Sequence, residues 1–405
     1  MANLPLSGIR VTDFTWIGAG SYTTKILADA GADVIKIESN DRVDSLRLAA
    51  PYKDGIKGIN RSGYFADRNS SKRSLTLNMK HPRALELVSR LIRQSDVIAN
   101  NFTPGVMDRF GLGYDAVREI KPDIIYLAMS MQGGSGPEKH YLGYGATMAA
   151  VTGIQQLTGL PGRLPAGTGT NYPDHIPNPC HAAFALLAAL RHRRRTGQGQ
   201  RIDMAQTEPT VALLGPAVLD YTVNGHVQQA RGNRHPDAAP HGVYPCAGAD
   251  RWIAICVMRD TQWQGLRRAL GQPHWMADPA LATASARLRH ADEIDARLAQ
   301  EAARHDAGAL VALLQSHGVA AGMVSTAADV IADPQLEHRD HWLTLNHPEM
   351  GPSLYNAQPF RYARSPAGQA RPAPLLGQHT RDICGELMGL DEAEIERLAQ
   401  EGALN

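Results

Sequence analysis

Strands and helices alternate through the first third of the sequence, and this alternation restricts the chain to few folds. Residues 9–14 (IRVTDF) have the alternating pattern of a strand, and residues 33–38 (DVIKIE) form a second. Between them the sequence predicts a helix over residues 22–30, ended by Gly31. Two strands joined through a helix make a βαβ unit, whose strands run parallel. We therefore expect a parallel sheet covered by helices.

The alternation continues to residue 129. Further strands are predicted over residues 71–79, 96–99 and 124–129, and further helices over residues 82–94 and 114–120. Residues 40–69 carry mixed charge and scattered glycines, which indicates a long irregular surface excursion. The fold class expected is α/β, with a doubly wound, Rossmann-like parallel sheet. Ligands of such sheets bind at the carboxyl ends of the strands, where the loops at 101–104 and 132–136 fall. The glycine-rich loop at 132–136 is a candidate for closing over a ligand.

The stretch from 171 to 204 carries the strongest signal for chemistry. It predicts an exposed aspartate, Asp174, then a helix capped by Asn178 with Pro179 in its first turn, ended by Gly197 and followed by a strand. Many alanines make this helix thin, so we expect it to be buried. An ionised carboxylate just before a helix N-terminus is stabilised by the unpaired N–H groups there. Asp174 is therefore a candidate nucleophile.

Size and composition set the remaining limits. A chain of 405 residues suggests two domains, and the region 225–325, with a strand at 252–258 and a long helical stretch, is the candidate for the smaller one. A net charge of +1 favours neither nucleic acid nor a membrane surface as main partner. Four scattered cysteines lack metal-like spacing and indicate reduced thiols, so we expect a cytoplasmic protein. Cys180 is interpreted as a small core residue, with a nucleophilic role as the alternative.

A second interpretation rests on the first glycine-rich segment. Gly18, Ala19 and Gly20 resemble the start of a dinucleotide-binding fingerprint, and Glu38 stands where an acidic ribose partner would fall. Thr23 replaces the third glycine. NAD-dependent oxidation is thus an alternative function, and a plain strand-to-helix turn is the simpler explanation.

Several blocks, in order along nearly the whole chain, resemble the class III CoA-transferases, also called the CaiB/BaiF or formyl-CoA transferase family. They are LPLSGIRVTDFTWIGAG, GADVIKIE, NSSKRSLTLNMK, NNFTPGVMDRFGLGYDAV, PDIIYLAMS, LLAALRHRRRTGQGQ, DPQLEHRDHW and PAPLLGQHT. The resemblance implies a large Rossmann-like CoA-binding domain over 1–215 and 330–405, a small α/β domain over 225–325, and linkers at 216–224 and 326–329. It also implies a homodimer of two interlocked rings.

The resemblance further implies a mechanism. Asp174 would attack a donor acyl-CoA, form a mixed anhydride and then an aspartyl-CoA thioester, and pass CoA to an acceptor carboxylic acid. Acyl-CoA is a substrate in this scheme, and no metal or redox cofactor is required. By block matching, CoA contacts fall on Gly18, Ala19, Leu77, Asn78, Met79, Lys80, Asn101, Phe102, Thr103, Arg109, Tyr141, Leu142, Gly143 and Tyr144.

The sequence departs from the family pattern at two positions and leaves two further alternatives open. Gly145 replaces an acidic residue common in the family, and Ser39 replaces a common arginine.

An α-methylacyl-CoA racemase of the same fold is the alternative within the family, but racemases carry histidine where Tyr144 stands. His175 and His181 flank Asp174 as acid–base candidates, although structural roles are commoner. A silent CoA-binding subunit is disfavoured because Asp174 is present. The GTNYPDH and GNRHPDAAPHGVYP segments resemble the corresponding segments of family members that use succinyl-CoA and transfer CoA to dicarboxylic or aromatic acids, more than those of the oxalate enzyme.

Overall fold

The structure is a computed structural model that describes residues 4–365 and 371–405. Residues 1–3 and 366–370, which the sequence assigned to the large domain, lie outside the described residues. The chain divides into two compact units. The larger comprises the described residues of 1–155, 167–227 and 335–405, and the smaller comprises 156–166 and 228–334. The segment 156–166, which the sequence analysis placed in the large domain, thus groups with the smaller unit.

A six-stranded parallel sheet forms the centre of the larger unit, as predicted. Its strands are β1 (Arg10–Asp13), β2 (Asp33–Glu38), β3 (Arg73–Thr76), β4 (Val97–Asn100), β5 (Ile125–Ala128) and β6 (Gln200–Asp203). Their order is β3-β2-β1-β4-β5-β6, and every adjacent pair is parallel. The order reverses between β1 and β4, which is the switch point where open sheets bind ligands.

Helices cover both faces of this sheet. The helices of this unit before residue 227 are α1 (Ile17–Asp29), α2 (Gly63–Asn69), α3 (Ala84–Arg93), α4 (Val106–Arg109), α5 (Tyr114–Ile120), α6 (Gly145–Val151), α7 (Tyr172–His175), α8 (Pro177–Thr196), α9 (Thr207–Ala212) and α10 (Gly215–Asn224). Alternate residues of β1 and β4 divide between two cores: Val11 and Val97 pack with α1 and α8, while Ile98 packs with α3 and α5.

The smaller unit combines a three-stranded antiparallel sheet with helices. Its elements are β7 (His241–Pro245), β8 (Trp252–Cys256), α11 (Asp260–Ala269), α12 (Ala284–Arg289), α13 (Ala291–Ala302), α14 (Ala307–Ser316), β9 (Ala320–Met323) and α15 (Ala327–Ile331). The strands pair in the order β7-β8-β9. Trp263 and Leu310 are buried in a separate apolar core of this unit.

The chain ends in the larger unit. This last part contains α16 (Pro334–His338), which begins at the boundary of the units, β10 (Trp342–His347), β11 (Gly351–Asn356), α17 (Thr380–Glu386) and α18 (Glu392–Gln400). Ile383 on α17 and Leu398 on α18 pack into the core beside β3 and α3. Strands β10 and β11 form an antiparallel pair. None of the helices within 4–365 and 371–405 is long and apolar enough to cross a bilayer.

Three predicted boundaries are wrong for physical reasons. Helix α1 begins at Ile17, not at 22, because the distant Asp44 carboxylate accepts the Ile17 N–H at 3.1 Å. The excursion at 40–69 contains α2, capped by the Ser62 hydroxyl, which accepts the Phe65 N–H. Asn178 lies inside α8 and does not cap it, since the helix already begins at Pro177. The predicted end of α8 is confirmed at Gly197, which adopts φ +74°.

Candidate active site

Asp174 lies buried in the larger unit, on the short helix α7. Its exposed fraction is 4%, so the prediction of an exposed aspartate is wrong. The first turn of α1 approaches it so closely that a Cβ added to Gly18 would stand 2.9 Å from the Asp174 Cβ. The first turn of a helix presents unpaired N–H groups and the positive end of the dipole, which favour an anion. Gly18 therefore lets α1 shield and polarise this carboxylate.

Gly145 holds the other side of the same carboxylate. Its backbone N–H donates to Asp174 Oδ2 at 3.2 Å. A Cβ at this position would lie 2.6 Å from Oδ2 and 2.7 Å from the Asn171 Cβ. Asp174 can therefore occupy this position only because residue 145 is glycine, where an acidic residue is common in the family. Any side chain at position 145 would displace the Asp174 carboxylate.

Burial also sets the ionisation of Asp174. Desolvation favours the neutral acid and raises its pKa from 3.8 to about 6, against the opposing effects of the Gly145 N–H and the Arg68 charge. A group with a pKa of about 6 is still roughly nine-tenths ionised at pH 7. A weakly solvated carboxylate that remains charged is what nucleophilic attack on a thioester requires.

A cleft of about 740 Å³ opens at the carboxyl ends of β2, β3, β4 and β5. It gathers nearly all the residues that were predicted to contact CoA. These are Leu77, Asn78, Met79, Lys80, Asn101, Phe102, Thr103, Arg109, Tyr141, Leu142, Gly143 and Tyr144. Tyr144 lines the cleft and its neighbour Gly145 contacts Asp174, so the carboxylate lies close to the cleft without lining it.

Gly18 and Ala19, also predicted as contacts, are placed differently. Gly18 faces Asp174 and Ala19 is buried in the core beneath α1. Asn101 also has a second task, since its side-chain amide clamps the Trp16 backbone, accepting from its N–H at 2.8 Å and donating to its carbonyl at 2.7 Å.

Trp16 and Arg42 are site residues that the sequence did not predict. The Trp16 ring lies edge-on to the Phe102 ring, with centroids 5.8 Å apart. The Arg42 guanidinium carbon lies over the Trp16 ring, 5.1 Å from its centroid. Both residues line the cleft. Arg42 follows β2 closely and supplies a cation near the position where Ser39 replaces the arginine of the family. A basic residue three positions beyond Ser39 was the available signal.

The other candidates near Asp174 were Cys180 as a nucleophile and two histidines as acid–base groups. Cys180 is exposed, so its interpretation as a core residue is wrong, and its thiol pKa is raised by desolvation. His181 Nδ1 lies 2.7 Å from the Pro177 carbonyl, a local structural contact. Desolvation lowers the pKa of His175 to about 4, so its imidazole is neutral at pH 7.

The dinucleotide interpretation is wrong. Gly18 and Gly20 lie within α1 and are covered by Asp174 and by Thr15 and Asn101, respectively. Glu38 is buried in a bidentate ion pair with Arg47 at 2.8 Å and has no free oxygen for a ribose. Within the described parts of the chain, no group of three His, Cys, Asp or Glu residues is placed to hold a metal.

Comparison with known proteins assigns the chain to the transferases that act on CoA thioesters. The family model described as CoA-transferase family III matches residues 6–380. The chain therefore belongs to CoA-transferase family III and is an enzyme of the transferase class.

Individual relatives agree with this assignment. The chain is 33% identical to the succinyl-CoA–D-citramalate CoA-transferase of Chloroflexus aurantiacus, over 97% of this chain and 96% of the relative. It is 32% identical to the succinate–glutarate CoA-transferase of Agrobacterium fabrum, over 95% and 96% of the two chains. A crystal structure of a CaiB/BaiF family protein from Brucella suis superposes with a TM-score of 0.87 at 31% identity, over 95% of this chain and 100% of that one.

Substitution of Gly145 tests the contact with Asp174. Gly145→Ala places a methyl carbon 2.6 Å from Asp174 Oδ2, too close for either to stay in place, so we expect transferase activity to fall by roughly 100-fold, the scale of a small misplacement of a reacting group. Gly385→Ala, where the nearest atom would lie 3.9 Å from the new carbon, is the control and should keep full activity. Urea unfolding midpoints would show whether both variants fold. Normal activity of a folded Gly145→Ala protein would contradict this geometry.

The raised pKa of Asp174 can be measured directly. In protein labelled with ¹³C at aspartate carboxyls, the Asp174 resonance should titrate with a midpoint near 6, because burial disfavours the charged form. Asp174→Asn identifies the resonance by removing it. Ionisation is then lost as the pH falls through about 6, and not through the ordinary 3.8. A midpoint near 4 would show that the carboxylate is solvated.

Proposed function

We propose that this enzyme transfers CoA from succinyl-CoA to an acceptor carboxylic acid, with Asp174 as the covalent relay. The observation that carries the proposal is the buried Asp174 carboxylate, held by the N–H of Gly145, the residue that follows Tyr144 of the cleft. Succinyl-CoA as donor is suggested by the relative from Chloroflexus aurantiacus, whose name includes this thioester.

In the first step an Asp174 oxygen attacks the thioester carbonyl carbon, the C–S bond breaks, and CoA leaves as a thiolate. The thiolate then attacks the Asp174 carbonyl of the mixed anhydride, releasing the donor acid and leaving an aspartyl-CoA thioester. The acceptor carboxylate attacks that carbonyl to give a second anhydride and CoA thiolate. The thiolate takes the acceptor acyl group and frees Asp174. The Gly145 N–H would stabilise negative charge on the Asp174 oxygens during these steps.

We assign the rest of CoA to the cleft. Arg42, Lys80 and Arg109 line it and are exposed, so they can pair with the CoA phosphates. The rings of Trp16 and Phe102 offer an apolar surface for adenine or pantetheine. The proposed chemistry is complete without a metal or redox cofactor. The four free cysteines support a cytoplasmic location.

The homodimer is proposed on the exposed apolar side chains of α8 and α10. Contrary to the expectation of a buried helix, α8 buries only one face, and Phe184 on the other is 73% exposed. Helix α10 exposes Val218, Leu219, Tyr221 and Val223, the last at 76%. Large apolar side chains left exposed on the surface of a helix are typical of an interaction surface. We propose that a second copy of the chain covers them.

Sedimentation velocity tests the dimer. Wild-type protein should sediment as a dimer, and Val223→Asp should shift the population toward monomer because it places a charge in the covered surface. The control is Leu164→Asp, a change at another exposed apolar side chain outside α8 and α10. A monomeric wild-type protein, or a Val223→Asp dimer as tight as wild type, would contradict the proposal.

Intact mass spectrometry tests the covalent relay. After incubation with succinyl-CoA, the protein should carry an acyl or CoA adduct that hydroxylamine removes and that peptide mapping places on Asp174. Asp174→Asn, of nearly the same size, should form none while remaining folded. A lack of any adduct with several acyl-CoAs, together with exchange of the α-proton in deuterium oxide, would instead favour the racemase.

A further inference from the structure

A cationic cluster adjoins Asp174 and is separate from the residues that line the cleft. Arg68, near the end of α2, places its guanidinium 4.4 Å over the Tyr22 ring and 5.9 Å from the Tyr64 ring centroid. Tyr64 Oη lies 3.4 Å from His175 Nε2, next to Asp174 in sequence. None of these side chains lines the cleft assigned to CoA. The cluster therefore needs an explanation of its own.

Helix α1 contacts both Asp174 and Arg68. Gly18, against which Asp174 rests, and Tyr22, on which Arg68 stacks, are four residues apart and share one face of the helix. The backbones of Gly18 and Tyr22 are about one helical turn, roughly 5 Å, apart along α1, so Asp174 and Arg68 contact adjacent turns of the helix. The positive charge of Arg68 lowers the pKa of Asp174, which opposes the effect of burial. It also lowers the pKa of His175, in the same direction as burial.

The hydrogen-bonding capacity of this cluster is not used up. Arg68 pairs with Asp67 at 2.8 Å, and Asp67 is held from its other oxygen by Asn356. Arg68 Nε and His175 Nδ1 are both buried without a hydrogen-bond partner. Buried polar atoms of this kind normally find partners, and a missing ligand is one explanation. A neutral histidine, a tyrosine hydroxyl and one guanidinium suit an anion of single charge, and a planar carboxylate matches the guanidinium best.

We propose that Arg68, with Tyr64 and His175, binds the second carboxylate of a short dicarboxylic acid whose first carboxyl group reacts at Asp174. The cluster would thereby select dicarboxylic over monocarboxylic substrates, both as acyl group of the donor and as acceptor. This inference rests on the proposed CoA transfer and narrows its substrate class to short dicarboxylates.

The test compares two donors of equal chain length, succinyl-CoA and butyryl-CoA, by the kcat/KM for CoA transfer. Wild-type protein should prefer succinyl-CoA by about tenfold or more, the effect of a charge-assisted contact. Arg68→Met should remove most of this preference by slowing succinyl-CoA much more than butyryl-CoA, and Arg68→Lys should retain part of it. Arg118→Met, on the exposed surface of α5, is the matched control and should leave the preference unchanged.

Three results would overturn the inference. One is a wild-type protein without preference between the donors. Another is equal slowing of both donors by Arg68→Met, which would give Arg68 a purely structural role with Asp67. The third is the failure of either thioester to form an Asp174 adduct, which would overturn the proposed transfer as well. Adducts from both donors without preference would leave CoA transfer standing and remove the dicarboxylate subsite alone.

Discussion

A buried ion pair beneath the N-terminus of α1 supports the whole site. Asp44 and Lys36 are both inaccessible to solvent and lie 2.9 Å apart. Asp44 also accepts the N–H groups of Ile17 and Leu46, while Lys36 donates to the Thr15 carbonyl at 2.7 Å. Burial alone would raise the pKa of Asp44, but the Lys36 charge and the backbone N–H donors hold it below its ordinary value. A buried pair is tolerated only when its remaining donors and acceptors are satisfied in this way.

The consequence is a fixed start for α1. Ile17 has φ +59°, a conformation that β-branched residues rarely adopt and that persists only where its surroundings enforce it. Asp44 holds its N–H, and Asn101 clamps the preceding Trp16. The next residue is Gly18, against which Asp174 rests. The buried ion pair and Asn101 thus fix the strained turn, and the turn in turn fixes the glycine that contacts the candidate nucleophile.

The sequence predicted the parallel sheet, but it did not predict that the candidate nucleophile, Asp174, is buried. Strand alternation and the helix end at Gly197 are local signals, and both are confirmed. The burial of Asp174 depends on Gly18 and Gly145, which are distant from it in sequence and were noticed only through motif comparisons that say nothing of their contact with Asp174. The missed helix α2 had a local signal in the Ser62 cap, although seven residues without a strong apolar stripe hid it. Arg68 escaped notice because it belongs to that helix.

Two arginines of the larger unit show how burial and bonding separate a structural group from one available to a ligand. Arg47 is fully buried, and its nitrogens bond both oxygens of Glu38, the Asn60 side chain, and the Ile59 and Pro374 carbonyls. Its five donors are thereby satisfied, so it can only stabilise the fold. Arg68 is 13% exposed on its side chain, pairs with the adjacent Asp67, and leaves Nε unbonded. A guanidinium with unused donors beside a reactive carboxylate gains most from an added anion, since that anion supplies the partner that the protein does not.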